Sequence, residues 1–378
     1  MADIVYVDDD PSAFMAQCTK DQSARIDAIT FDPKDTGDDL IAASSGKMVW
    51  LFDFFLVAPS ADSHRDENGL SLFQKWKAVV PSWPTIVVVS SDVEKAIGEP
   101  LGPMARRHVI AQRHGVDWIG DKSLDNARKT LSEVIQLADA GALVAKLLSV
   151  TKTDKANVGN YDPEGLCFDV LGASRESEWA NSAQRQVDRA RPPREVPLAS
   201  EAAARSILVW LLSHVLPYPS FLLSDSQAAL RLKLTPKSFA AIADAVTRDP
   251  TGTYGLLLHS SQYAGPLATF FGRRWWRAAI DDLAWHMSQE KSGYDKGLEV
   301  LAGQVPIELL VYDEPVLLSD PNLIETDAVA EASECVRVTD EDFPANVDPA
   351  WVLLTVARKD RDLAAKVVYE DRELLRAE

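Results

Sequence analysis

The sequence predicts an α/β protein: a doubly wound parallel sheet in the N-terminal third, followed by a mostly α-helical second domain. Three observations carry that expectation. Short apolar runs rich in β-branched residues each stop at a polar residue, amphipathic stretches separate them, and beyond residue 200 most of the chain reads as helix. Continuous apolar runs mark strands buried on both faces, and their alternation with helices marks a parallel sheet.

The elements follow in order. Ile4-Val5-Tyr6-Val7 is a buried strand that ends in Asp8-Asp9-Asp10-Pro11. Met48 to Phe52 repeats the pattern and ends in Asp53. Gly69 to Val80 is a helix in which Leu70, Leu72, Phe73 and Trp76 share a face. Ile86 to Val89 is a third strand, ending in Ser90-Ser91-Asp92, and Trp118-Ile119 is a short fourth one leading to Lys122. Leu131 to Val150 is an apolar helix that closes the domain. Ligands of parallel sheets bind at the carboxyl ends of the strands, and every polar residue just named falls at that edge.

Composition narrows the function. The 378 residues include 57 acids and 39 bases, a net charge of −18. Such a surface repels phosphate backbones and anionic membranes unless a local basic stripe overrides it. Cys18, Cys167 and Cys335 lie far apart in no metal-ligand spacing, and so odd and sparse a count argues against a disulfide framework and suits a reducing compartment. The start MADIVYVDDD lacks the features of a signal peptide, and runs such as Ile207 to Leu212 are too short to span a bilayer. A soluble cytoplasmic protein is expected.

The acids at the strand ends define a chemistry. Carboxylates sharing a pocket raise one another's pKa, and an oxygen-loving divalent cation resolves that conflict; Mg²⁺ suits a few carboxylates plus water. Asp53, alone at its strand end, is placed to act as a nucleophile toward a phosphoryl group. The Ser90 hydroxyl and the Lys122 ammonium would hold the phosphoryl oxygens.

Residues 3–140 resemble the response-regulator receiver domain of two-component signalling, a five-stranded flavodoxin-like fold. VDDDP is similar to the family's acidic pair, which implies Asp8 and Asp9 as metal-site residues, Asp9 the more direct ligand. Asp53 lies 45 residues after Asp8, the spacing of the family's phospho-acceptor. The resemblance also implies the backbone carbonyl of Phe55 as a metal ligand and Ser90 as the switch hydroxyl, with Ser91 one register away. Gly115-Val116-Asp117 and Lys122, seven residues after the glycine, match the run that ends in the family's lysine.

The departures are specific. Ala58 to Asn68 lengthens the loop after Asp53, and a second insertion surrounds Gly98 to Pro103. Ser123 replaces the proline that follows the lysine, and Ile119 takes the place of the switch aromatic, with Trp118 one residue off. Asp121, beside Lys122, could compete for its charge.

Residues 141–199 read as a helical connector and a proline-broken linker, RARPPREVP at Arg189 to Pro197, and residues 200–378 as a mainly helical output domain. Ala228 to Phe239 resembles a helix-turn-helix, with Lys233 where the turn glycine is usual and few basic residues on the second helix. Arg273-Arg274-Trp275-Trp276-Arg277 reads first as tryptophans in a core with arginines toward solvent, and second as a partner interface. His259, His286 and Cys335 read as structural, and Asp281-Asp282 as a solvated face or ion pair. No phosphate-binding glycine loop and no hydrolase or metalloprotease motif is present.

The sequence therefore points to a signalling protein in which Asp53 accepts a phosphoryl group with Mg²⁺ bound. Its donor would be a sensor histidine kinase or phosphotransfer protein, and its output an unidentified protein target, with homodimerisation open. Two alternatives stay open: a pseudo-receiver scaffold that no longer switches, and a DNA-binding regulator acting through residues 228–239.

Overall fold

A computed structural model describes residues 2–31, 42, 45–56, 68–80, 82–153, 157–340, 343 and 347–376. The chain divides into two compact units, each drawn from several segments. The first comprises Met1–Leu171, Pro192–Ser213 and Gly265–Phe271. The second comprises Gly172–Arg191, His214–Ala264 and Gly272–Glu378.

The first unit is α/β. Its sheet consists of β1 (Ile4–Asp8), β2 (Ile26–Thr30), β3 (Val49–Asp53), β4 (Thr85–Ser90) and β5 (Trp118–Asp121) in the order β2-β1-β3-β4-β5. Every pairing is parallel. All residues of β1, β3 and β4 are buried, as their unbroken apolar runs require. β2 was not legible as a strand in the residue pattern. It is the sheet edge, and Asp27, Ala28 and Thr30 on it are exposed, so it lacks the apolar run that marks the others.

Helices cover the sheet. α1 (Gly69–Val79) opens with a capping box between Asn68 and Ser71 and packs Phe73 and Trp76 into the core with Trp50 and Phe52. α2 (Val93–Ile97), α3 (Arg107–Arg113) and α4 (Ala127–Leu147) follow. Two ties fix β5. The indole of the fully buried Trp118 donates to Glu133 at 3.0 Å, where Arg107 also pairs at 3.1 Å, and its ring meets Phe270 edge-on. Asp117 accepts the Ile86 amide and a two-pronged contact from Arg205, both prongs 2.6 Å long. Of the insertion Ala58 to Asn68, all but Asn68 lies outside the described residues. The run expected as a linker carries the strand Glu195–Pro197, which pairs with Val158–Tyr161 in a three-stranded sheet.

The second unit packs the helices Asp225–Arg231, Pro236–Arg248, Gly252–Ser261, Arg277–Ser288 and Tyr294–Ala302 around Phe239, Trp275, Leu283 and Met287. It also contains a four-stranded sheet of Pro315–Ser319, Glu325–Glu331, Cys335–Val338 and Ala350–Leu353. No strand was expected across residues 315–338. The first of these strands is half-buried throughout and the second is largely acidic, which blurs the alternation that would reveal them. The three cysteines are free, and among the described residues no helix is long and apolar enough to cross a membrane.

Gly69 ties α1 to the end of β3. Its amide donates to the Phe54 carbonyl at 2.9 Å, and a Cβ there would lie 2.1 Å from the Asp53 carbonyl oxygen. That oxygen is backbone and cannot yield without displacing the strand end. Gly69→Ala should therefore cost about 1–3 kcal/mol in denaturant unfolding. Gly255→Ala, in the helix Gly252–Ser261 with no atom nearer than 4.0 Å, should be neutral or stabilising by up to about 1 kcal/mol.

Candidate functional site

Strand order places the site. The chain leaves β1 to one side for β2 and to the other for β3, so β1 and β3 flank the point where the topology reverses, the usual position of a ligand crevice. β1 ends in Asp8 and β3 in Asp53, and both carboxylates are buried. β5 ends at Asp121, and the Lys122 amide donates to the Ser90 carbonyl at 2.8 Å, which extends the edge by one residue.

From there the Lys122 ammonium reaches across the sheet edge. It lies 2.7 Å from Asp8 Oδ2 and 3.1 Å from Asp53 Oδ2. Asp8 also accepts the Asp10 amide at 2.9 Å on Oδ1 and the Tyr6 hydroxyl on Oδ2. Asp53 Oδ1, by contrast, is buried without a hydrogen-bond partner among the described residues. Asp9 is exposed, and one oxygen from each of Asp8, Asp9 and Asp53 lies within 4.8 Å of the others.

Each group titrates away from its ordinary value. Burial pushes the Asp53 carboxyl up to about 6; Lys122 opposes the rise, and the charge of Asp8 adds to it. Burial acts to raise Asp8 as well, but hydrogen bonds from Lys122 and Tyr6 outweigh it and hold that carboxyl below the usual range. Asp9 is raised by partial burial and by its hydrogen bond and charge contact with Asp8. Lys122 is raised despite burial, by its bond to Asp8 and the charge of Asp53. Burial and Asp8 together keep the Tyr6 phenol neutral at any ordinary pH.

The structure thus brings together Asp8, Asp9, Asp53 and Lys122. Ser90 lies at the buried end of β4, one position beyond the residue paired with Asp53, and its Oγ accepts the Asp92 amide at 3.1 Å. Ser91 is exposed. Phe55 follows β3 with its ring edge-on to Phe54 and beneath the Lys95 ammonium. Asp121 does not draw Lys122 away; it accepts from the Ser123 amide and from Asn126. Tyr6 was missed by the sequence reading, although it lies two positions before Asp8 and so shares its side of the strand.

The motifs of the second unit resolve as packing. Trp275 and Trp276 are fully buried, Arg273 forks onto Asp225 and reaches Asp244, and Arg274 donates to the Leu216 carbonyl. The segment 228–239 does form two helices about a tight turn, with Lys233 in the left-handed region at φ 55°. The start of its second helix is covered by the chain itself: the Thr235 amide donates to the Glu308 carbonyl and the Glu308 amide to Ser238 Oγ.

A carboxyl whose folded value lies above its unfolded one binds its proton more tightly in the folded chain. Asp53 therefore contributes stability at low pH, and that contribution is lost as pH rises from the ordinary carboxylate range through about 6. Asp53→Asn should raise stability by about 1–3 kcal/mol near pH 7.5 in EDTA, and the gain should shrink as pH falls below 6. Thermal unfolding of both proteins across that range checks it. Comparison with known proteins adds no identity: no family model, no curated protein and no solved structure matches the chain.

Proposed function

We propose that this chain is a response-regulator-like signalling protein that accepts a phosphoryl group on Asp53. The observation that carries the reading is the Lys122 ammonium bridging Asp8 and Asp53 beside a buried, unpartnered Asp53 oxygen. The order β2-β1-β3-β4-β5 supports a flavodoxin-like receiver fold.

The three acids fit a divalent cation. Their oxygens converge within 4.8 Å, one lacks a partner among the described residues, and a single ammonium leaves the cluster net negative. Asp8, Asp9 and Asp53 would hold Mg²⁺ together with the Phe55 carbonyl. When bound, the ion supplies positive charge against the phosphoryl oxygens.

The chain's own groups perform the rest. An oxygen of Asp53 attacks the phosphorus of a phosphohistidine on a sensor kinase or phosphotransfer protein. The new O–P bond forms as the P–N bond breaks, and the imidazole leaves with the electron pair and takes a proton from solvent. Lys122 is positioned to stabilise the charge on the transferring group, and the Ser90 hydroxyl lies one residue past the strand position that faces Asp53. The product adds about two negative charges in place of one, which competes with Asp8 for Lys122.

One observation favours a second reading, the non-switching scaffold. Trp118 is pinned by Glu133 and Phe270, and Ile119 is buried in the core, so the end of β5 holds no aromatic free to change rotamer. The DNA-binding reading is weakened. The N-terminal turn of a recognition helix must reach base edges, and here it lies beside Glu308, Asp225 and Asp327. A protein target suits the second unit better.

Incubation with a small phosphodonor and Mg²⁺ should add one phosphoryl group per chain, detected by intact mass. Asp53→Ala should abolish the adduct, and Lys122→Ala should slow its formation by about 10²-fold. Label that persists in Asp53→Ala would sink the assignment. Beryllofluoride that binds without altering amide exchange beyond the site would select the scaffold.

A further inference from the structure

We propose that the second unit carries a transition-metal site formed by Glu178, Asp282 and His286, independent of the carboxylate cluster in the first. Asp282 and His286 are four residues apart in the helix Arg277–Ser288, so their side chains rise from the same face one turn apart. Glu178 precedes the helix Ala180–Arg189, and its neighbour Trp179 is buried with its ring against Trp276. That buried anchor fixes where the Glu178 backbone meets the last turns of Arg277–Ser288. His286 in turn packs its ring edge-on to Trp285.

The distances distinguish this group from a hydrogen-bonded ion pair. His286 Nε2 lies 3.3 Å from Glu178 Oε2 and 3.6 Å from Asp282 Oδ2. Both exceed the roughly 2.7–3.2 Å of an N–H···O bond. Nε2 carries at most one hydrogen, so two carboxylates could only share it, each beyond ordinary hydrogen-bond distance. A metal bonded at about 2.0–2.2 Å to each of three tetrahedral ligands sets them roughly 3.3–3.6 Å apart, the separation seen around Nε2. The third pair of ligand atoms also lies within 4.8 Å.

The donor set selects the ion. One imidazole nitrogen and two carboxylate oxygens suit Zn²⁺, Co²⁺ or Ni²⁺, whereas Mg²⁺ prefers oxygen ligands alone. Glu178 is 73% exposed at its side chain, His286 31% and Asp282 18%, so the site opens to solvent and its remaining position would hold water. The two carboxylates face the same imidazole nitrogen.

The test is zinc binding to the full-length protein by equilibrium dialysis in excess Mg²⁺, which keeps the all-oxygen cluster of the first unit supplied. One Zn²⁺ per chain is expected at submillimolar ion, with at least a tenfold loss of affinity in both His286→Ala and Glu178→Gln. Co²⁺ should give visible absorption bands of a tetrahedral site that disappear in His286→Ala. All three side chains are at the surface, so these variants should keep the parent circular dichroism, and Asp282→Asn serves as a further check on the same ion. Absence of zinc binding, or binding equally strong in His286→Ala, would overturn the proposal. Phosphorylation at Asp53 is a separate readout, and neither result depends on the other.

Discussion

One ammonium group holds the carboxyl edge of the sheet together. Lys122 follows β5, yet its charge is shared between the ends of β1 and β3, and β4 lies between it and the nearer of these strands. Two buried carboxylates this close could not both remain ionised unaided, since burial and mutual repulsion each favour the proton. Lys122 settles the conflict unevenly. Asp8, which also has Tyr6 and the Asp10 amide, is held ionised, while Asp53 is left with one bare oxygen and an elevated pKa. The sheet provides the rigid frame and the lysine sets the asymmetry between the two carboxylates.

That frame was legible in the sequence where burial is complete. β1, β3 and β4 contain no exposed residue, and their unbroken apolar runs announced both the strands and the polar residues that terminate them. β2 failed the same test because an edge strand faces solvent; in the second sheet, Pro315–Ser319 was hidden by half-burial throughout and Glu325–Glu331 by its acids, whereas the run at Trp351 that forms Ala350–Leu353 did read as strand-like. At the site, Asp8, Asp9, Asp53 and Lys122 followed from order and spacing. The role of Tyr6 did not, because an aromatic in a strand looks like core until the geometry reveals what its hydroxyl meets.

The second unit shows how a basic cluster in an acidic chain can be consumed internally. Arg273 spends its guanidinium on Asp225 and Asp244, and the indole of Trp275 donates to the same Asp225 at 2.6 Å. Sequence places these arginines beside tryptophans, a combination found at interfaces and on single-stranded nucleic acid. The fold instead uses them as ties between helices. With 57 acids to 39 bases, the chain has too few cations to neutralise its acids one to one, and a surface of that charge repels polyanions.

The hydrogen bond from Gly69 to Phe54 separates two properties of the segment between β3 and α1. It closes the segment at its base, so the position of Asp53 is set by backbone contacts at residues 54 and 69 and not by the number of residues between them. Extra length in a closed loop adds an entropic cost of closure that grows only with the logarithm of length. The number of residues between 54 and 69 can therefore change while the spacing of Asp8 and Asp53 stays constant. Loop length and the placement of the buried acids are thereby uncoupled, free to vary at different rates.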